Sequence, residues 1–174
     1  IAPAASADVV SGGTGGLGLL TARWLAQRGG ARTLALASRG GVLARDTVAE
    51  WTDLHASNMV MWVQRCDTAE GAHVGRLVAH VMTRAAPVTG VWHAAGVLAD
   101  GVLTKQTAGA LARVYAPKAH GARTLHHAFA TAVVRTHALF SSVAALLGGA
   151  GQANYSAANA CLDTLALYRR TCAR

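Results

Sequence analysis

The chain is poor in the residues that would place it in several common protein classes. Aromatic residues make up 5% of its 174 residues, and proline and cysteine occur three times each. Cys66, Cys161 and Cys172 are odd in number and lack C-x-x-C spacing, which argues against a disulfide framework or zinc site and for reduced thiols. The eight histidines contain no H-E-x-x-H arrangement, so a metal site is not expected. Although 52% of the residues are apolar, no unbroken apolar run reaches the roughly 18 to 20 residues of a membrane span. The opening IAPAASADVV lacks a basic segment followed by a long apolar stretch, so no secretory signal is read there. These absences predict a soluble, intracellular, cytoplasmic protein with one domain's worth of chain. Acidic residues are scarce too, eight against sixteen Lys and Arg, for a formal charge of +8. The arginines are spread singly except for Arg169 and Arg170, with no basic-aromatic cluster, which disfavours nucleic-acid binding. An acidic protein partner or a phosphorylated ligand suits the charge better.

What is present is alternation. Short β-rich runs, DVVSG, RTLALAS, MVMWVQRC, VTGVWHAAG and RTHALFSS, precede helical patterns over 16–29, 45–57, 70–85, 107–129 and 154–172 respectively. This order predicts βα units forming a doubly wound α/β fold of the Rossmann type, with a parallel sheet and helices on both faces. Near-continuous apolar strands fit a sheet covered on both sides. Pro117 should kink or split the fourth helix. Glycine clusters fall at strand exits, where such sheets bind ligands.

The first of these, SGGTGGLG, follows a strand and opens a helix. Gly12, Gly13, Gly15 and Gly18, with Thr14, Gly16 and Leu17 between them, match G-G-x-G-x-x-G. Such a loop lets backbone approach a pyrophosphate whose charge the helix N-terminus favours. An acid at the end of the second strand would favour NADH, and a cation NADPH. Ser38 and Arg39 stand there, so NADPH is favoured, the alternative being a solvated arginine beside a loop. Cys66 and Asp67 close the third strand; Asp67 either reaches the adenine side or only caps the next helix. In WHAAG, His93, Ala94, Ala95 and Gly96 are expected beside the cofactor, the small residues letting backbone pass close to the ribose and nicotinamide, and the His93 ring reads as packed and hydrogen-bonded rather than as a proton donor.

The segment LFSSVAALLGGAGQANYSAAN brings Ser141 and Ser142 to the exit of the fifth strand and returns Tyr155 on the next helix. A carbonyl reductase needs one group to polarise the carbonyl and another to protonate the developing alkoxide, and Ser142 and Tyr155 suit these tasks. A phenol is a weak acid that a nearby ammonium strengthens. The chain has only two lysines. Lys105 lies in a polar loop and Lys118 follows Pro117, so Lys118 is the candidate, a surface lysine being the other reading of its local pattern.

The motifs SGGTGGLG, ASRGG, CDTAE, WHAAGVLADGVL, APKAHGARTLH and LFSSVAALLGGAGQANYSAANACLD, in this order, closely resemble the ketoreductase domains of type I polyketide synthases, relatives of the fatty acid synthase ketoreductase within the short-chain dehydrogenase/reductase superfamily. The resemblance covers essentially the whole chain. Most short-chain reductases carry Lys four residues after the Tyr, where this chain has Asn159; the resemblance implies that the two positions are exchanged and that Lys118, Ser142, Tyr155 and Asn159 form the catalytic tetrad. It further implies a sheet of order 3-2-1-4-5, and NADPH-dependent reduction of a β-ketoacyl thioester carried on the phosphopantetheine arm of an acyl carrier protein, among neighbouring synthase domains. Residues 1–174 are then expected to be a catalytic core that stops after the Tyr155 helix, without the lid, the last strands and the structural subdomain. Leu98, Asp100, Leu147, Gln152 and Asn154 would guide substrate and product configuration. The family's B type has LDD where this chain has Leu98-Ala99-Asp100 and Pro where it has Ala150, while the Trp of the A type is replaced by Leu147; B type is the closer match. A non-catalytic ketoreductase-like module and a stand-alone reductase of a small ketone are the competing readings.

Overall fold

Val9 and Val10 stand side by side in the first strand and bury into opposite hydrophobic layers, as the two-residue period of a strand requires. The computed structural model describes residues 6–27, 33–44, 47–57, 59–84 and 87–172. Five strands, β1 (Ala7–Ser11), β2 (Thr33–Ser38), β3 (Val60–Arg65), β4 (Val88–His93) and β5 (Thr136–Leu139), form one parallel sheet of order β3-β2-β1-β4-β5. Between them run α1 (Gly16–Gln27), α2 (Val48–His55), α3 (Gly71–Arg84), α4 (Ala108–Tyr115) and α5 (Gly121–Ala128), and after β5 the short α6 (Ala144–Leu147) and long α7 (Ala153–Cys172). One layer joins Val9, Ala35, Ala37 and Val91 to Val74, Leu77 and Val81 of α3 and Leu125 of α5. The other joins Val10, Leu34 and Leu36 to Leu19, Ala22 and Leu25 of α1 and Leu54 of α2. β1 is buried along its whole length, as its apolar sequence predicts for a central strand.

The expected helix 107–129 is divided. Thr107 caps α4 by accepting from the Ala110 N–H at 3.1 Å. A turn of π-helix over Ala116–His120 then carries Pro117 and Lys118 before α5 resumes. Pro117 has no N–H and its ring crowds the preceding turn, so the helix widens there. Other boundaries shift as well. β4 ends at His93 and β5 at Leu139, short of the expected Gly96 and Ser142; Ala94 and Phe140 each still donate one bond to the neighbouring strand before the chain turns away to line the site. α6 was not foreseen; its four residues are too few to show a helical period. The expected helix positions 28, 29, 45, 46 and 85, and Arg32 of the second expected strand, lie outside the described residues. Among the described residues no helix is long and apolar enough to cross a membrane.

Candidate active site

Every chemically loaded segment comes to the carboxyl edge of the sheet. Gly12 has φ +70°, a conformation that favours glycine. A Cβ there would lie 2.7 Å from the Ala95 nitrogen, and one on Gly18 would lie 2.2 Å from the Gly12 oxygen. The turn, the start of α1 and the Ala94–Gly96 segment therefore close on one another only because these side chains are absent. They bound a cavity of about 440 Å³, lined also by Thr14, Gly15, Gly16, Leu17, Ser38, Arg39, Cys66, Asp67 and Thr68. Arg39 is exposed at its edge, and the Ser38 hydroxyl accepts from the Gly41 N–H at 3.1 Å. Asp67 both lines the cavity and shapes a turn: its Oδ1 accepts from the Ala69 N–H at 3.0 Å, while its own N–H donates to His73 Nδ1 at 3.2 Å. Cys66 is buried, and burial above all pushes its thiol up to about 11, which leaves it protonated and unreactive.

A second hollow of about 220 Å³ shares Leu17, Ala94, Gly96 and Val97 with the first and is lined by Leu98, Lys118, Phe140, Ser141 and Tyr155. Lys118 is 4% exposed. Its Nζ donates to the Phe140 carbonyl at 3.0 Å and lies 5.3 Å from the centre of the Tyr155 ring. Burial lowers its pKa to about 8, with Asp163 acting in the opposite sense. The ammonium thus persists at neutral pH in a site that has partly dried it. Asn159 is fully buried; its Nδ2 donates to the Tyr155 carbonyl at 2.8 Å, and its Oδ1 is buried without a partner. Ser142 is half-buried and its Oγ accepts from the Ala144 N–H at 3.2 Å, whereas the neighbouring Ser141 is the serine lining the hollow.

His93 does not line either hollow. It is fully buried, with Nε2 3.2 Å from the Lys118 carbonyl and Nδ1 2.6 Å from Ser11 Oγ. A carbonyl can only accept, so Nε2 carries the proton and Nδ1 accepts from the serine. Burial foremost lowers the His93 pKa to about 4, keeping the ring neutral. Its side chain packs beneath the site, as its reading as a packed histidine has it, and it tethers the backbone of Lys118 to β1 and β4. That tether was not visible in sequence, because the partners are 82 and 25 residues away.

The loop after β4 is fastened to the start of α7. The Gly101 N–H donates to the Gly151 carbonyl at 2.8 Å, Gln152 Nε2 donates to Asp100 Oδ2 at 3.1 Å, and Asn154 Nδ2 donates to the Ala99 carbonyl at 2.8 Å. Asn154 Oδ1 also accepts from the Tyr155 N–H at 2.7 Å. Leu98 and Leu147 are exposed.

A glycine-lined cavity at the carboxyl edge of a parallel sheet, next to a tyrosine with a buried lysine ammonium, is the arrangement of a Rossmann-type fold of the short-chain dehydrogenase/reductase kind. A family model for the KR domain matches residues 6–174. The chain is 45% identical over 161 residues to polyketide synthase GfsB of Streptomyces halstedii, covering 92% of this chain and 3% of the relative. It is 45% identical over 164 residues to the spectinabilin polyketide synthase system protein NorB of Streptomyces orinoci, covering 93% and 8%. Among solved structures, an A-type ketoreductase from a modular polyketide synthase superposes with a TM-score of 0.89 at 37% identity, over 98% of this chain and 36% of that one. A ketoreductase domain from the bacillaene assembly line does so at 0.89 and 32%, over 97% and 40%. The chain therefore belongs to the ketoreductase (KR) domain family of polyketide synthases, and it spans well under half the length of these relatives.

His93→Ala should leave the Lys118 carbonyl and the Ser11 hydroxyl unpartnered in a dry space, at a cost of about 2–4 kcal/mol of unfolding free energy. Urea denaturation measures it; a loss under about 1 kcal/mol would show that the two bonds do not hold the Lys118 turn.

Proposed function

We propose that this domain reduces a β-ketoacyl thioester, carried on the phosphopantetheine arm of an acyl carrier protein, to the β-hydroxyacyl thioester, with NADPH as reductant. The observation that carries the reading is the Lys118 ammonium 5.3 Å from the Tyr155 ring centre, although Asn159 holds the position one turn after the tyrosine. The residues present fit the cofactor: a Cβ on Gly12 or Gly18 would collide with backbone, and Arg39 lines the cavity beyond β2, where a 2′-phosphate calls for a cation. In this reading the loop from Gly12 to Gly18 would cradle the pyrophosphate, Asp67 would serve the adenine side, the Ala94–Gly96 backbone the ribose, and Lys118 would bond the nicotinamide ribose. Bound NADPH supplies the hydride.

The chain's own groups do the rest. Ser142 donates a hydrogen bond to the ketone oxygen, which polarises the carbonyl and holds it. Tyr155 gives that oxygen a proton as charge develops on it. The Lys118 ammonium favours the phenolate left behind, and partial desolvation strengthens that attraction. Asn159 holds the backbone of the Tyr155 turn. Asp100, Gln152 and Asn154, bonded across two loops, form the wall against which the acyl chain is oriented, and the retained Asp100 favours the B-type product configuration. The charge of +8 suits an acidic carrier protein.

Tyr155→Phe should lower kcat by about 10²–10⁴-fold on a surrogate β-ketothioester, measured in the complete domain, with NADPH affinity retained; near-normal turnover would overturn the assignment. Arg39→Ala should weaken NADPH binding about tenfold or more, the worth of a charge-assisted bond, and leave NADH binding nearly unchanged in fluorescence titrations. Equal weakening of both would remove the phosphate contact from the reading.

The Lys118 ammonium is present below its pKa of about 8 and lost above it, so kcat should fall as pH rises through that value. In Lys118→Arg the guanidinium stays charged, and the falling limb should move upward. A rate that stays flat well past this pH in the parent protein would tell against an ammonium in the proton relay.

A further inference from the structure

β3 releases the chain at Cys66, whose N–H still bonds back to β2, to the Ser38 carbonyl at 2.8 Å. The next residue is Asp67, which lines the larger cavity. Its acceptors are engaged by its own turn: the Asp67 carbonyl accepts from the Glu70 N–H at 3.1 Å, and Oδ1 from the Ala69 N–H at 3.0 Å. The partner of the Asp67 N–H lies further on. It is Nδ1 of His73, six residues ahead, at 3.2 Å. A backbone N–H can only donate, so Nδ1 accepts with its lone pair and the proton of the neutral ring sits on Nε2.

His73 stands in the first turn of α3, and the residue after it, Val74, is fully buried with Leu77 and Val81 in the layer that packs α3 on the sheet. The ring therefore ties the backbone of Asp67 to a fixed part of α3. Two anchors, Cys66 on β2 and Asp67 on α3, set the direction in which the carboxylate leaves the main chain. With Oδ1 held by Ala69, Oδ2 is the oxygen left to the cavity. Without the imidazole the Asp67 N–H loses its acceptor and the peptide before Asp67 is free to turn toward water. A carboxylate at position 73 would supply an acceptor too, but with a second negative charge beside Asp67. A neutral imidazole does so without that repulsion.

We propose that His73 is a positioning residue of the cofactor site: by holding the Asp67 amide it aims the free carboxylate oxygen at the exocyclic amino group of adenine, and so makes the site selective for a 6-amino purine. The inference rests on the reading that the cavity receives NADPH with Asp67 on the adenine side.

The test is a fluorescence titration of the complete domain with NADPH and with reduced nicotinamide hypoxanthine dinucleotide phosphate, which differs from it at the purine edge alone. The unsubstituted protein should bind NADPH at least about tenfold more tightly, as a hydrogen bond to a charged group provides. His73→Ala should bring that ratio to about threefold or less, chiefly by weakening NADPH. His73→Phe keeps a ring but offers no acceptor; it should act like His73→Ala and serves should the alanine variant fail to fold. His73→Asn, whose Oδ1 is as far along the side chain as Nδ1, should keep the ratio near that of the unsubstituted protein. A ratio that survives in His73→Ala or His73→Phe would overturn the inference alone, as would equal weakening of both dinucleotides, the mark of a purely structural histidine. Loss of the ratio in His73→Asn would also overturn it. Equal binding of the two dinucleotides by the unsubstituted protein would remove Asp67 from the adenine edge and the proposal with it, and binding of neither would reject the cofactor reading itself.

Discussion

A neutral imidazole sealed between the sheet and a widened helical turn holds the site together. His93 accepts from Ser11 on β1 and donates to the carbonyl of Lys118, joining the two central strands to the turn that carries the only buried lysine among the described residues. In this dry setting each bond is strengthened by the low dielectric and each missing partner is costly, so the network admits one tautomer and one position for the turn. Gly121 completes the fit: a Cβ there would lie 2.4 Å from Thr68 Oγ1 and 3.2 Å from His93 Cε1, and only glycine lets α5 approach so closely.

The π-turn over Ala116–His120 does what an unbroken α-helix could not. By disrupting the helical ladder, Pro117 lets residue 118 turn inward, where the Phe140 carbonyl receives its ammonium. Irregular helical turns of this kind cost backbone regularity and recur at functional sites. The lysine arrives from a different helix than the tyrosine, so their relation depends on how α7 packs on α4 and the π-turn rather than on the period of one helix.

The same logic governs the loops around the site. Gln152 and Asn154 stand some fifty residues after Asp100 and Ala99 and meet them through side-chain and backbone bonds. Asn154 joins the loop after β4 to the amide of Tyr155 itself, so a displacement of that loop reaches the tyrosine through a single side chain.

Local pattern alone was enough for the α/β alternation, the buried central strands, the glycine turn after β1 and the break at Pro117, because periodicity, glycine freedom and the missing proline N–H act over a few residues. The motifs and their order likewise carried the family and, through it, the strand order. Sequence left open whether Lys118 was a surface lysine, whether Asp67 capped a helix or faced a cavity, and what His93 bonded. The fold answers these with a lysine 4% exposed, an aspartate that lines the cavity and shapes a turn ahead of α3 without capping the helix, and a histidine between two strands and a turn. The short α6, whose four residues show no helical period, and the choice of Ser141 over Ser142 as the serine lining the hollow were also out of reach of sequence. Contacts between distant parts of the chain, and the burial that sets the charge of a lysine, exist only once the layers have closed.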